Sequence, residues 1–168
     1  MSDSDLKQLN FPQTISDSSI KGIILVEICD KVVCDALSQF NLPIVSVDMP
    51  NVPFEELNGI DVVTMESKKN LKKIINQLIE KGAESFGFVG DLYSPNVSRG
   101  FQERYNALSE CLAEHQLPLN QKNCLLHQTP EDFRNFQTTV NNLQAMISLP
   151  DVFICGNDWT AIQLIYAC

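Results

Sequence analysis

The sequence predicts an α/β fold of three layers, αβα, built on parallel sheets. Three stretches carry that expectation. The run Ile23-Ile24-Leu25-Val26 ends at Glu27 and leads into a helical pattern over residues 32–40. Phe86-Gly87-Phe88-Val89-Gly90 ends at Asp91 and leads into one around residues 104–114. Val152-Phe153-Ile154-Cys155 ends in Gly156-Asn157-Asp158 and leads into residues 159–167. Strands buried on both faces read as continuous apolar runs, and parallel strands need helical crossovers. Such sheets take ligands beyond the carboxyl ends of their strands, so Asp48, Asp91, Asn157 and Asp158 are expected on that rim.

Taken in order, residues 1–19 are rich in Ser and Asp, contain Pro12 and show no sustained period, which reads as a loop, a linker or a damaged edge. The first helix sets Val32, Val33, Ala36, Leu37 and Phe40 on one face. Leu42-Pro43 then stops it, because the residue before a proline is pushed out of the α region. Ile44–Val47 is the next strand, and Pro50, Pro53 and Gly59 mark a long loop to a strand over residues 62–65. Leu71, Ile74, Ile75, Leu78 and Ile79 form the clearest helical stripe, with lysines opposite and Gly82 as its stop signal. After the strand over residues 86–89 comes a polar loop, residues 91–99. Tyr105, Leu108, Cys111, Leu112 and His115 then form a helical face that runs until Leu117-Pro118. A weak strand over residues 124–127 follows. Thr129 suits an N-cap, Pro130 the first helical position, and Glu131 and Asp132 the positive end of the dipole. That helix carries Phe133, Phe136, Val140, Leu143 and Ile147, too few heptads for a coiled coil, so core packing is expected. The best break lies near residues 64–67. It separates residues 1–64, with 1–19 irregular, from a more complete βα set over residues 65–168.

Composition narrows the function classes. A net charge of −9 argues against this chain gripping phosphate backbones, since DNA affinity rests largely on Lys and Arg. The basic cluster Lys68, Lys69, Lys72 and Lys73 reads as a solvated helix face. Six cysteines include no Cys-x-x-Cys pair, as expected of free, buried thiols in a reducing compartment. His115 and His127 lie near no cysteine pair, so no metal site is expected. No run approaches the roughly 18 apolar residues that span a bilayer. The acidic start Met1-Ser2-Asp3-Ser4-Asp5 lacks the features of a signal peptide, which points to a cytoplasmic protein without membrane contact.

The handles for enzyme chemistry are missing. There is no phosphate-binding Gly-x-x-x-x-Gly-Lys-Ser/Thr, no Gly-x-Gly-x-x-Gly and no Gly-x-Ser-x-Gly, so neither catalytic residues nor a cofactor are expected. The rim residues each keep two readings. Asn157 or Asp158 caps the last helix, and a cap can also touch a ligand. Asp48 closes a turn or holds a ligand, and Ser98 is a loop hydroxyl or part of the rim. Arg104 lies in the first turns of a helix, where the dipole disfavours a cation. Either a guanidinium facing a cleft or a surface salt bridge accounts for it there.

Five segments in order carry a resemblance: Lys21-Gly22-Ile23-Ile24-Leu25-Val26, Leu42-Pro43-Ile44-Val45-Ser46-Val47-Asp48, Gln77-Leu78-Ile79-Glu80-Lys81-Gly82, Phe86-Gly87-Phe88-Val89-Gly90 and Cys155-Gly156-Asn157-Asp158-Trp159-Thr160-Ala161. From about Lys21 to its end, the chain resembles the effector-binding domain of LacI/GalR-type bacterial transcriptional repressors. The resemblance implies two Rossmann-like lobes of the periplasmic-binding-protein type, the first incomplete and the chain truncated at both ends. It implies a small effector, usually a sugar, bound between lobes. It also implies a homodimer whose operator DNA is read by an N-terminal helix-turn-helix absent here. Carried over by position, Asp48, Ser98, Arg104, Asn157 and Asp158 match the effector-contacting residues. Two departures stand out: Pro130 replaces a stacking aromatic, and Glu66-Ser67 replaces the usual Asp-Asn before the long helix. A solute-binding protein of a sugar transport system, or a small flavodoxin-like enzyme, would share much of this pattern.

Overall fold

The computed structural model describes residue 5 and residues 8–92, 98–127, 129 and 135–168. The chain divides into two compact units. The first holds the described residues up to Met65 together with Ser98 and Arg99; the second holds the described residues from Glu66 on, apart from those two.

In the first unit, β1 (Ile23–Val26), β2 (Ile44–Val47) and β3 (Ile60–Val63) form a parallel sheet in the order β1-β2-β3. Helix α1 (Lys31–Ser38) crosses between the first two. Ile44 is central to the register, facing Ile23 on one side and Ile60 on the other. Leu25, Ile44 and Ile60 bury one face of the sheet against Val33, Cys34 and Leu37 of α1, with Met49 and Leu57 completing the core. The opposite face shows Ile24, Val26, Val47 and Val63 to solvent. Ahead of the sheet, Phe11 packs edge-on against Phe40, 5.7 Å between ring centroids. The third strand starts two residues earlier than its apolar run suggested. Ile60 and Val62 face inward while Asp61 points out, and Met65 lies beyond the ladder, exposed. Alternation, rather than a continuous run, marks this edge strand.

The second unit holds β4 (Phe86–Asp91), β5 (Leu125–His127) and β6 (Val152–Cys155), parallel, in the order β5-β4-β6. All six residues of the central strand are buried. On one face, Val89 and Leu125 pack against Leu143 of α4 (Phe136–Gln144) and Leu164 of α5 (Asp158–Ala167). On the other, Phe88 meets Tyr105 of α3 (Arg99–Glu114) edge-on, with ring centroids 5.3 Å apart.

Helix α2 (Lys69–Glu80) ends as expected at Gly82, whose φ is +96°. There the Gly82 N–H donates to the Ile79 carbonyl and the Ala83 N–H to that of Leu78, the paired closure that glycine permits. At its start, the Glu66 carboxylate accepts from the backbone N–H groups of Lys68, Lys69 and Asn70. Glu66 therefore supplies the anionic cap that the departure from Asp-Asn put in question.

Two helices begin elsewhere than expected. The helix expected around residues 104–114 begins at Arg99, so the buried face gains Phe101, whereas His115 at its far end is exposed. The N-cap of α4 is Asn135, whose Oδ1 accepts from the Gln137 N–H at 3.1 Å. The expected start at Pro130, with Glu131, Asp132 and Phe133, lies outside the described residues. Ile147, expected on the core stripe, falls past the helix end and is fully exposed. All six cysteines are free; Cys34 and Cys111 are buried, but Cys168 is exposed.

Candidate functional site

The candidate residues gather into two groups, one in each unit. In the first, β2 ends at Asp48, whose φ of +68° places a non-glycine residue in the left-handed region. Three hydrogen bonds hold that turn. The Asp48 Oδ1 accepts from the Met49 N–H at 2.8 Å, and its carbonyl accepts from the buried Ser46 hydroxyl at 2.6 Å. The Ser98 hydroxyl donates to Asp48 Oδ2 at 2.6 Å, and Ser98 bridges Pro50 in an antiparallel contact. Asp48 and Ser98 are thus brought together across fifty residues of sequence. Beside them, the Arg99 N–H donates to the Met49 carbonyl, its Nη1 to that of Val52, and its guanidinium lies 4.3 Å from the centroid of Phe54. Such stacking is favoured by the quadrupole of the ring.

In the second unit, Arg104 meets the turn that follows β6. Its Nη1 donates to the Gly156 carbonyl at 2.8 Å. Gly156 also donates its N–H to Val89 at 2.7 Å, and the Phe101 ring occupies the space a Cβ on Gly156 would need. Arg104 and Phe101, one helical turn apart on α3, therefore both bear on a single glycine. Asn157 caps α5: its Oδ1 accepts from the Thr160 N–H at 2.9 Å, while its own N–H donates to Thr160 Oγ1 at 3.1 Å. This reciprocal box satisfies two donors that the helix start leaves open. The Asp158 carboxylate accepts from the Trp159 N–H at 2.8 Å. Arg104, Asn157 and Asp158 are thus neighbours around one turn.

Sequence reasoning missed a buried pair. Asp91 and His127 are register partners at the ends of β4 and β5, and His127 Nδ1 lies 2.7 Å from Asp91 Oδ1. Their side chains are only 8% and 2% exposed. Asp91 was expected at the rim, but its partner could be known only from the strand register. Phe101 and Arg99 were missed for a different reason: the polar composition of their surroundings hid the start of α3. Among the described residues, no group of three or more His, Cys, Asp or Glu side chains converges as a metal site, and no helix is long and apolar enough to cross a membrane.

Parallel strands with hydrogen-bonding side chains gathered past their carboxyl ends define a class, the open α/β folds. Within it, residues 75–168 match the family model of the periplasmic binding protein-like domain, and the chain belongs to that family. Catabolite control protein A of Staphylococcus xylosus is 33% identical to it over 113 residues, which cover 65% of this chain and 31% of that protein. The crystal structure of transcription regulator CcpA of Lactococcus lactis superposes with a TM-score of 0.71 at 14% identity, over 98% of this chain and 56% of the other. A LacI family transcriptional regulator from Lactobacillus casei with bound sucrose gives a TM-score of 0.66 at 20% identity, over 98% and 56%. The chain therefore spans about half the length of these solved structures and about a third of that curated relative. The resemblance read from the five segments holds.

Proposed function

We propose that the chain is the effector-sensing part of a LacI-type transcriptional regulator and that its effector is a sugar or a related polyol. Asp48 and Ser98 in the first unit, and Arg104, Asn157 and Asp158 in the second, are the groups assigned to that ligand. The observation that carries the reading is that each of the two groups, taken by itself, lies just past the carboxyl end of a parallel strand, Asp48 after β2 and Asn157-Asp158 after β6. Planar amide, carboxylate and guanidinium groups offer paired donors and acceptors suited to vicinal hydroxyls. The sucrose-bound relative of the same fold supports this ligand class.

The regulator acts by population shift: effector favours one conformational state and so alters how the whole protein meets operator DNA. Homodimerisation belongs to this reading and finds support in α5. That helix buries Thr160, Gln163 and Leu164 while exposing Trp159, Ile162, Ile165 and Tyr166, and a helix apolar all round is ordinarily covered on every side. Cytoplasmic location follows from the same role.

A thermal-shift screen of the chain against mono- and disaccharides, sucrose among them, tests the reading. A ligand present at 100 times its Kd stabilises by about 2.7 kcal/mol, well within detection. Arg104→Ala should abolish the response while costing the unliganded protein only about 1 kcal/mol for the lost Gly156 hydrogen bond. A screen without any saccharide response, or an Arg104→Ala variant that responds like the parent, defeats the assignment.

A further inference from the structure

We propose that His127 is a further ligand-contacting residue of the second unit, with its Nε2 as the acceptor for a ligand hydroxyl and Asp91 as the residue that positions it. The inference rests on the saccharide reading above and adds a contact to it. Its basis is a buried polar layer at the carboxyl end of the sheet. Side chains two apart on a strand share a face, so Asp91 lies on the side of Val89, and His127 on that of Leu125. On that side Val89 and Leu125 pack against Leu143 of α4 and Leu164 of α5. Each helix follows a strand and returns against the sheet, so its first turns lie at the carboxyl end. Two residues of strand match about one turn of helix in length. The layer above the four apolar side chains therefore holds Asp91 and His127 from the sheet, with Thr139 and Thr160 from the two helices. All four are buried. Thr160 also closes the cap with Asn157, so this layer adjoins a residue already assigned to the ligand.

Stability does not account for the pair, since well-packed apolar side chains often replace a buried charged pair without loss. Its chemistry suits a hydroxyl. His127 Nδ1 lies 2.7 Å from Asp91 Oδ1, and a carboxylate only accepts, so Nδ1 carries the imidazole proton. In the neutral ring Nε2, itself buried, is then the acceptor nitrogen. Asp91 thus fixes both the plane of the imidazole and its tautomer. A ring held this way takes a hydrogen bond from a hydroxyl and has nothing to offer a group that only accepts.

Imidazole nitrogen NMR, paired with saccharide binding by calorimetry, tests the assignment on the intact chain. His115 is the only other histidine and supplies the opposite reference. Its Nε2 lies 2.7 Å from Asn76 Oδ1, a carbonyl oxygen that only accepts. In mildly alkaline buffer the proton should sit on Nδ1 of His127 and on Nε2 of His115. Asp91→Ala should let the His127 proton redistribute between its two nitrogens; an unchanged tautomer overturns the positioning role. A parent His127 with its proton on Nε2, or on both nitrogens, overturns the contact whatever the variants do. The binding probes are the saccharides of the thermal-shift panel, sucrose included. His127→Asn keeps an amide where Nδ1 stood and removes the acceptor, so affinity should fall about tenfold. His127→Gln places an amide oxygen near the Nε2 position and should bind within a few-fold of the parent. Parent-like affinity in the Asn variant, or loss in both, overturns the contact while the saccharide reading stands. A parent that binds none of the panel removes the saccharide reading and this contact together.

Discussion

Gly156 is the residue on which the second unit's candidate site turns, and Gly156→Ala tests that directly. The added methyl meets the Phe101 ring well inside van der Waals distance, and Phe101 is itself 9% exposed, with little room to withdraw. The same residue passes its N–H to Val89 and its carbonyl to Arg104, so the backbone cannot slide away without breaking one or both bonds. Overpacking of this kind costs roughly 1–3 kcal/mol. For a chain of 168 residues that corresponds to a fall in melting temperature of about 2–12 °C. A double-mutant cycle separates the clash from a general backbone effect. Phe101→Ala alone should cost about 3–5 kcal/mol as a large-to-small core change. Combined with Gly156→Ala, the two costs should sum to less than their independent values, with a coupling of about 1–3 kcal/mol measured by urea denaturation. Additivity within about 0.5 kcal/mol would show that the methyl is accommodated elsewhere, and the account of Phe101 seated on Gly156 would be wrong.

Other expectations follow from the same contacts. Asn157→Ala should lose about 1 kcal/mol of stability with the α5 capping box, and Asn157→Asp should recover most of it, both read from urea midpoints. His127→Ala leaves the buried Asp91 without its imidazole and should cost roughly 1–3 kcal/mol, whereas a loss below the error of the melt would mean that water or a neighbour readily takes over. Acid sensitivity should arise from Glu66 and Asp151. The backbone N–H groups of Lys69, Asn70 and Lys68 hold Glu66 below the usual carboxylate range. The Ser85 hydroxyl, with the N–H groups of Glu84 and Ser85, does so for Asp151. The unfolded chain then binds these protons more readily than the folded one. The stabilisation is therefore fully present at neutral pH and fades as pH falls below about 5. Glu66→Gln and Asp151→Asn should flatten that acid limb, and an unchanged pH profile in both would contradict the capping geometry.

Much of the architecture was legible because each signal was local. The α2 stripe, the Gly82 stop and the apolar runs of β1, β4 and β6 are short-range consequences of periodicity and turn chemistry. Where the reading slipped, a longer-range effect had intervened. Asp61 interrupts the apolar run of β3 without interrupting the strand, because that position faces solvent on an edge. The helical stripe extended to Ile147 lost its last member because α4 closes at Ala145. Of the candidate site, Asn157 announced its capping role by its place before a helix. The partnership of Asp48 with Ser98, and that of Asp91 with His127, needed the fold: one joins residues fifty apart and the other depends on strand register.

Trp159 is the sole tryptophan of the chain, and on α5 it is 48% exposed. Its indole is therefore half covered while the protein is native, so unfolding of the second unit should shift the emission to the red. A blue shift, by contrast, will appear when another surface settles on that helix. The two events thus differ in the sign of the shift, and titrating protein concentration while following the emission maximum tests for association without any label.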